Sequence, residues 1–128
     1  MARILIVDDS PSQLLGIRRI AEKLGHQALT ADDGAAGVEA ASTQSPDLVL
    51  MDVVMPNLNG FQATRALKRD PATRHIPVIL VTTKDQDTDR VWGLRQGAMA
   101  YLTKPFSEAE LAAVIAQALA PDGAPSPD

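Results

Sequence analysis

The chain has 128 residues, a mass of 13.6 kDa, no cysteine and a formal net charge of −4. A chain of that length buries a core of its own and leaves no room for a second folded module. The missing cysteines exclude a disulfide scaffold, a thiol nucleophile and thiolate metal sites, and a pI near 5.0 argues against a basic nucleic-acid footprint.

The first apolar run, Ile4–Val7, meets the acid Asp8 after four residues and is too short for a secretory signal. No stretch reaches the length of a transmembrane helix, so neither membrane insertion nor any location beyond the cytoplasm is expected. Leu14, Ile17, Ala21 and Leu24 then recur at helical spacing before Gly25. Gln27–Ala31 is a weaker run, suited to an edge strand. Ala35–Ser42 follows as a small-residue helix with Val38 and Ala41 inward. Leu48–Met51 is a second continuous aliphatic run. Phe61–Lys68 carries Ala63, Ala66 and Leu67 on one helical face and stops before Asp70-Pro71. Val78–Val81 is a third aliphatic run. Thr88–Gln96 is a helix with Val91 and Leu94 inward, closed by Gly97, and Trp92 falls one residue off that stripe. Ala100–Leu102 is a second edge run. Ser107 caps the last helix with Glu110 three residues on, and Leu111, Val114, Ile115 and Leu119 make its apolar face.

Continuous aliphatic runs suit strands buried on both faces. Five strands alternating with five helices predict an α/β fold with one parallel sheet and helices on both sides. The pattern does not fix the strand order, and 2-1-3-4-5 is a common one for a five-stranded doubly wound sheet. Residues 121–128 hold turn and breaker residues without a large apolar anchor, so a domain over 1–120 and a disordered C-terminal tail are expected.

Ligands of such sheets bind beyond the carboxyl ends of the strands. There stand Asp8 and Asp9, Asp52, Thr82 and Thr83, and Thr103, Lys104 and Pro105. Each has a plain explanation alone: a turn, a helix cap, a solvated lysine. Together they place three carboxylates, hydroxyls and a lysine on one rim. Crowded carboxylates repel unless protonated or neutralised by a cation, and an oxygen-only donor set favours Mg²⁺, with Mn²⁺ or Ca²⁺ as alternatives. The combination suits phosphoryl transfer, in which a carboxylate can be the nucleophile. His26 and His75 read as loop residues, and Gly34 and Gly37 do not form a dinucleotide fingerprint.

Over residues 3–120 the sequence resembles the response-regulator receiver family. The resemblance rests on Ile4-Leu5-Ile6-Val7-Asp8-Asp9-Ser10, on Leu48 to Pro56 with Asn59-Gly60, on Thr82, and on Tyr101 to Phe106. It implies a flavodoxin-like (βα)5 fold. Asp52 would accept the phosphoryl group, Asp8 and Asp9 would hold Mg²⁺ with Asp9 the more direct, and the Val54 carbonyl would complete the protein ligands. Thr82 and Lys104 would bind the phosphoryl group, a cis bond before Pro105 would aim the lysine, and Tyr101 would turn inward when Thr82 moves. Val54 and Lys84 occupy the family's two rate-tuning positions.

The implied function is a signalling protein rather than an enzyme acting on a separate substrate, one that catalyses its own phosphorylation and dephosphorylation. A histidine kinase would be the donor. An output protein would bind the face of the fourth helix, fifth strand and fifth helix, with Trp92 and Tyr101 in it. Lys84 to Gly97, with Trp92, is most similar to single-domain regulators of type IV pilus (twitching-motility) chemosensory systems. The competing readings are a phosphate sink, a receiver cut from a larger regulator, a phosphorylation-independent interaction module, and a small phosphatase with an aspartate nucleophile. The last would need Asp-x-Asp, where this chain has Asp8-Asp9-Ser10.

Overall fold

In the computed structural model, which describes residues 1–120, the chain alternates strand and helix five times. The strands are β1 (Arg3–Val7), β2 (Gln27–Ala31), β3 (Leu48–Met51), β4 (Val78–Thr82) and β5 (Ala100–Thr103). The helices are α1 (Pro11–Lys23), α2 (Gly34–Gln44), α3 (Gly60–Arg69), α4 (Asp87–Arg95) and α5 (Glu108–Ala118). All strand pairs are parallel and the order is β2-β1-β3-β4-β5, the order expected. The two weaker runs, β2 and β5, form the edges. The tail expected over 121–128 lies outside the described residues.

Alternation along each buried strand divides the core in two. Leu5, Val7, Val49, Met51, Val78 and Leu80 face Ala41 of α2 and Ala63 and Leu67 of α3. Ile4, Ile6, Leu48, Leu50, Ile79 and Val81 face Ile17 and Ala21 of α1 and Leu111 and Ile115 of α5. Four of the helix starts are fixed by side-chain caps, the first of them by Ser10, whose hydroxyl accepts from the Gln13 N–H. Asp33 accepts from the Ala36 N–H, while Asn59 with Gln62 and Ser107 with Glu110 form capping boxes.

Two expected faces come out differently. Leu24 is not part of the α1 stripe: it is the C-cap and is 40% exposed. Val91 and Leu94 do not point inward: they are 49% and 45% exposed, as open as Trp92 at 49%. The cause is Gly93, the one buried residue of α4. A methyl group there would stand 2.8 Å from Leu80 Cδ1 and 3.0 Å from Tyr101 Cδ2. The helix therefore meets the sheet through bare backbone, and its larger apolar side chains are turned to the open face.

A second close approach serves the rim directly. Gly60 begins α3 against the loop after β3, and a Cβ there would lie 2.2 Å from the Asp52 carbonyl oxygen and 2.8 Å from Val53 Cα. Backbone atoms cannot rotate out of the way, so Gly60→Ala must push α3 off the Asp52 loop. We expect it to destabilise the fold by about 1–3 kcal/mol in urea denaturation. An unchanged midpoint would show that the loop yields freely.

Candidate functional site

The β1–β3 register places Val7 opposite Met51, so Asp8 and Asp52 leave adjacent strands side by side. Backbone bonds hold them there: the Asp52 N–H donates to the Val7 carbonyl at 2.9 Å and the Asp8 N–H to the Ala31 carbonyl at 3.1 Å. Asp8 is buried and Asp52 is half-buried, whereas Asp9 is exposed. One carboxylate oxygen from each of the three lies within 4.8 Å of the others.

Lys104 reaches this trio from the end of β5. The β4–β5 register pairs Thr82 with Thr103, and the Lys104 N–H donates to the Thr82 carbonyl at 2.8 Å. Its Nζ donates to Asp8 Oδ2 at 2.8 Å and stands 3.5 Å from Asp52 Oδ2. The lysine side chain is only 8% exposed, and the Lys104–Pro105 peptide bond is cis, as expected. A buried pair of this kind is costly to break from one side, because the remaining charge is left without a partner.

The other oxygens are held by backbone. Asp8 Oδ1 accepts from the Ser10 N–H at 2.9 Å. Asp52 Oδ1 accepts from the N–H groups of Val53 at 2.7 Å and Val54 at 3.3 Å. One Asp52 oxygen thus faces amide donors and the other faces Lys104. Three hard oxygen donors within reach of one point, against one ammonium, fit a small divalent cation such as Mg²⁺.

Thr82 is fully buried and its hydroxyl accepts from the Lys84 N–H at 3.3 Å. Tyr101 is also buried, at 7% exposure, and its hydroxyl donates to the Lys84 carbonyl at 2.7 Å. Of the two residues expected on the output face, Trp92 is therefore exposed while the Tyr101 ring is turned inward. Trp92 borders a groove of about 470 Å³ between α4 and the loop after Asp52, with Val54, Phe61 and Lys84 also on its wall. His75 is exposed, and His26 is half-buried with its Nδ1 accepting from the Ala2 N–H.

Arg90 was not among the residues singled out from sequence. Its guanidinium lies 5.3 Å from the centre of the Tyr101 ring and donates to the Tyr101 carbonyl at 3.0 Å. The two residues are eleven apart on different elements, and only the packing of α4 on β5 brings them together. No helix of the described residues is long and apolar enough to cross a membrane.

Comparison with known proteins agrees with this geometry. The family model described as response regulator receiver domain matches residues 4–116. The chain is 59% identical to protein PilH of Pseudomonas aeruginosa over 120 residues, covering 94% of this chain and 99% of PilH. It is 45% identical to the response regulator PleD of Caulobacter vibrioides over 112 residues, 86% of this chain but only 24% of PleD. Among solved structures, the receiver domain of a Pseudomonas aeruginosa sensor histidine kinase superimposes with a TM-score of 0.84 at 34% identity. That match covers 91% of this chain and 95% of the other, which was crystallised with a magnesium ion coordinated in its active site cleft.

Burial pushes the Tyr101 phenol up to about 12, Asp89 adds to the rise and Arg90 opposes it. The folded state thus favours the protonated phenol. The stability this group contributes is complete below the ordinary tyrosine value of about 10 and is lost as pH rises through about 12. Tyr101 is the single tyrosine, so ultraviolet absorbance of the phenolate reports it alone. The midpoint should fall by up to two pH units when the protein is denatured, from about 12 to about 10. Equal midpoints in the two states would show that the ring is not desolvated.

Proposed function

The chain belongs to the response regulator receiver domain family, and from that premise we propose that it is a phosphorylation switch with Asp52 as the acceptor. The observation that carries the proposal is the Lys104 ammonium, bonded to Asp8 at 2.8 Å and 3.5 Å from Asp52. An anion arriving at Asp52 Oδ2 meets a cation already aimed at that point. Little else is asked of the protein, because phosphoryl transfer is catalysed mainly by positioning and charge neutralisation.

In this reading Asp8, Asp9 and Asp52, with the Val54 carbonyl, would hold Mg²⁺, which would supply positive charge for the phosphoryl oxygens. The amides of Val53 and Val54 orient the Asp52 carboxylate, so that its other oxygen is presented to the donor. A phosphohistidine of a histidine kinase is the proposed donor: the bond from phosphorus to imidazole nitrogen breaks as the bond to the aspartate oxygen forms. Lys104 then pairs with a phosphoryl oxygen. The Thr82 hydroxyl turns from the Lys84 N–H toward the phosphoryl group, which frees that amide and disturbs the loop leading into α4. Both Val54, which is 55% exposed, and Lys84 border the mouth of the site, where they would shape the approach of the hydrolytic water.

Output is proposed to pass through α4, β5 and α5, where Val91, Trp92 and Leu94 present apolar surface. Tryptophan is enriched at binding hot spots. The likeness to PilH across nearly its whole length supports a role in type IV pilus motility or the chemosensory signalling that controls it.

Asp52→Asn removes the nucleophilic oxygen and keeps the shape. Labelling of the intact protein by acetyl phosphate, read by mass spectrometry, should drop to background. Normal labelling of the variant would falsify the acceptor assignment.

A further inference from the structure

Tyr101 is held from four directions. Its hydroxyl is bonded to the Lys84 carbonyl at 2.7 Å. Its ring edge lies where the bare backbone of Gly93 passes, with room for no side chain between them. Arg90 covers the ring from outside at 5.3 Å and fastens its guanidinium to the carbonyl of the same tyrosine at 3.0 Å. The Lys84 side chain also reaches α4, its Nζ 3.8 Å from Asp89, the neighbour of Arg90. An outward turn of the ring must break the phenol bond and leave the cation.

These contacts together fix the inward position of the ring. Arg90 supplies two of them, and it is an exposed helix residue without an acidic partner among the described residues. A guanidinium over an aromatic face attracts the ring quadrupole, and a charge-assisted bond to the ring's own carbonyl fixes where that guanidinium sits.

We propose that Arg90 is a positioning residue that holds the Tyr101 ring inward and so sets the α4 side of the switch. The proposal rests on the reading of the Thr82 hydroxyl as the group that moves when Asp52 is phosphorylated. Phosphorylation then has to rearrange only the Thr82 hydroxyl and the loop through Lys84.

The test uses the full chain with its single tyrosine labelled in the ring, so that NMR reads one spin system. In the free wild-type protein one inward ring signal is expected. In free Arg90→Ala the outward-to-inward ratio should rise about two- to fivefold, the loss of one exposed cation–π contact, since the backbone carbonyl that Arg90 also binds does not move with the ring. Arg90→Lys keeps the charge without the planar fork and should fall between the two. Arg90 lies at the surface, and far-UV circular dichroism of each variant checks that the fold is kept. Identical ring signals in free wild type and Arg90→Ala overturn the proposal, as does a wild-type ring that is already mainly outward. Adding beryllofluoride with Mg²⁺ is a separate arm. If the acceptor reading fails, no protein responds to it, while the difference between free wild type and free Arg90→Ala still stands.

Discussion

Three carboxylates on one rim repel one another, and the Lys104 ammonium is the cation the chain itself sets among them. Its bond to Asp8 and its approach to Asp52 are made at 8% exposure, where water screens little. The sheet exists in a form that allows this. The Val7–Met51 register sets two aspartates side by side, and the Thr82–Thr103 register brings the lysine to them from the far edge. Shift either pairing by one residue and the side chain turns to the other face of the sheet. The cation pairing and the strand register are thus two aspects of one constraint.

From that rim a continuous set of contacts runs to the open face of α4. The Thr82 hydroxyl accepts from Lys84, the Lys84 carbonyl accepts from Tyr101, and the Tyr101 carbonyl accepts from Arg90. Each link is a single hydrogen bond. In the proposed switch, discrete links of this kind would let a local change of charge be read at a distance, because packed cores are bistable rather than continuously deformable. Gly93 sets the geometry of the far end. By letting α4 lie against Leu80 and Tyr101, it leaves Val91, Trp92 and Leu94 on the outside.

Much of this was legible beforehand, for reasons that differ from place to place. Leu48 to Met51 reads as a buried strand because four aliphatic residues in a row have only one kind of home in an alternating α/β chain. Ser107 with Glu110 reads as a helix start because the two groups can satisfy each other's backbone donors. The inward assignment of Val91 and Leu94 failed for an equally physical reason. Periodicity counts side chains, and the residue of α4 that meets the sheet has none. Arg90 was invisible because its partner is set by how α4 crosses β5, and nothing within either segment records that crossing.

The sequence by itself determined the class of fold, the order of the elements and the set of acids, hydroxyls and lysine that end the strands. Those properties are local: they follow from hydrophobic period, capping residues and the chemistry of oxygen ligands. Only the tertiary structure decided which carboxylate is buried, which oxygen the lysine takes, which way the tyrosine points and what lies over it. Those properties depend on distances between residues far apart in the chain, such as Asp8 and Lys104, 96 positions apart. Such distances are fixed by strand register and helix packing rather than by any segment alone.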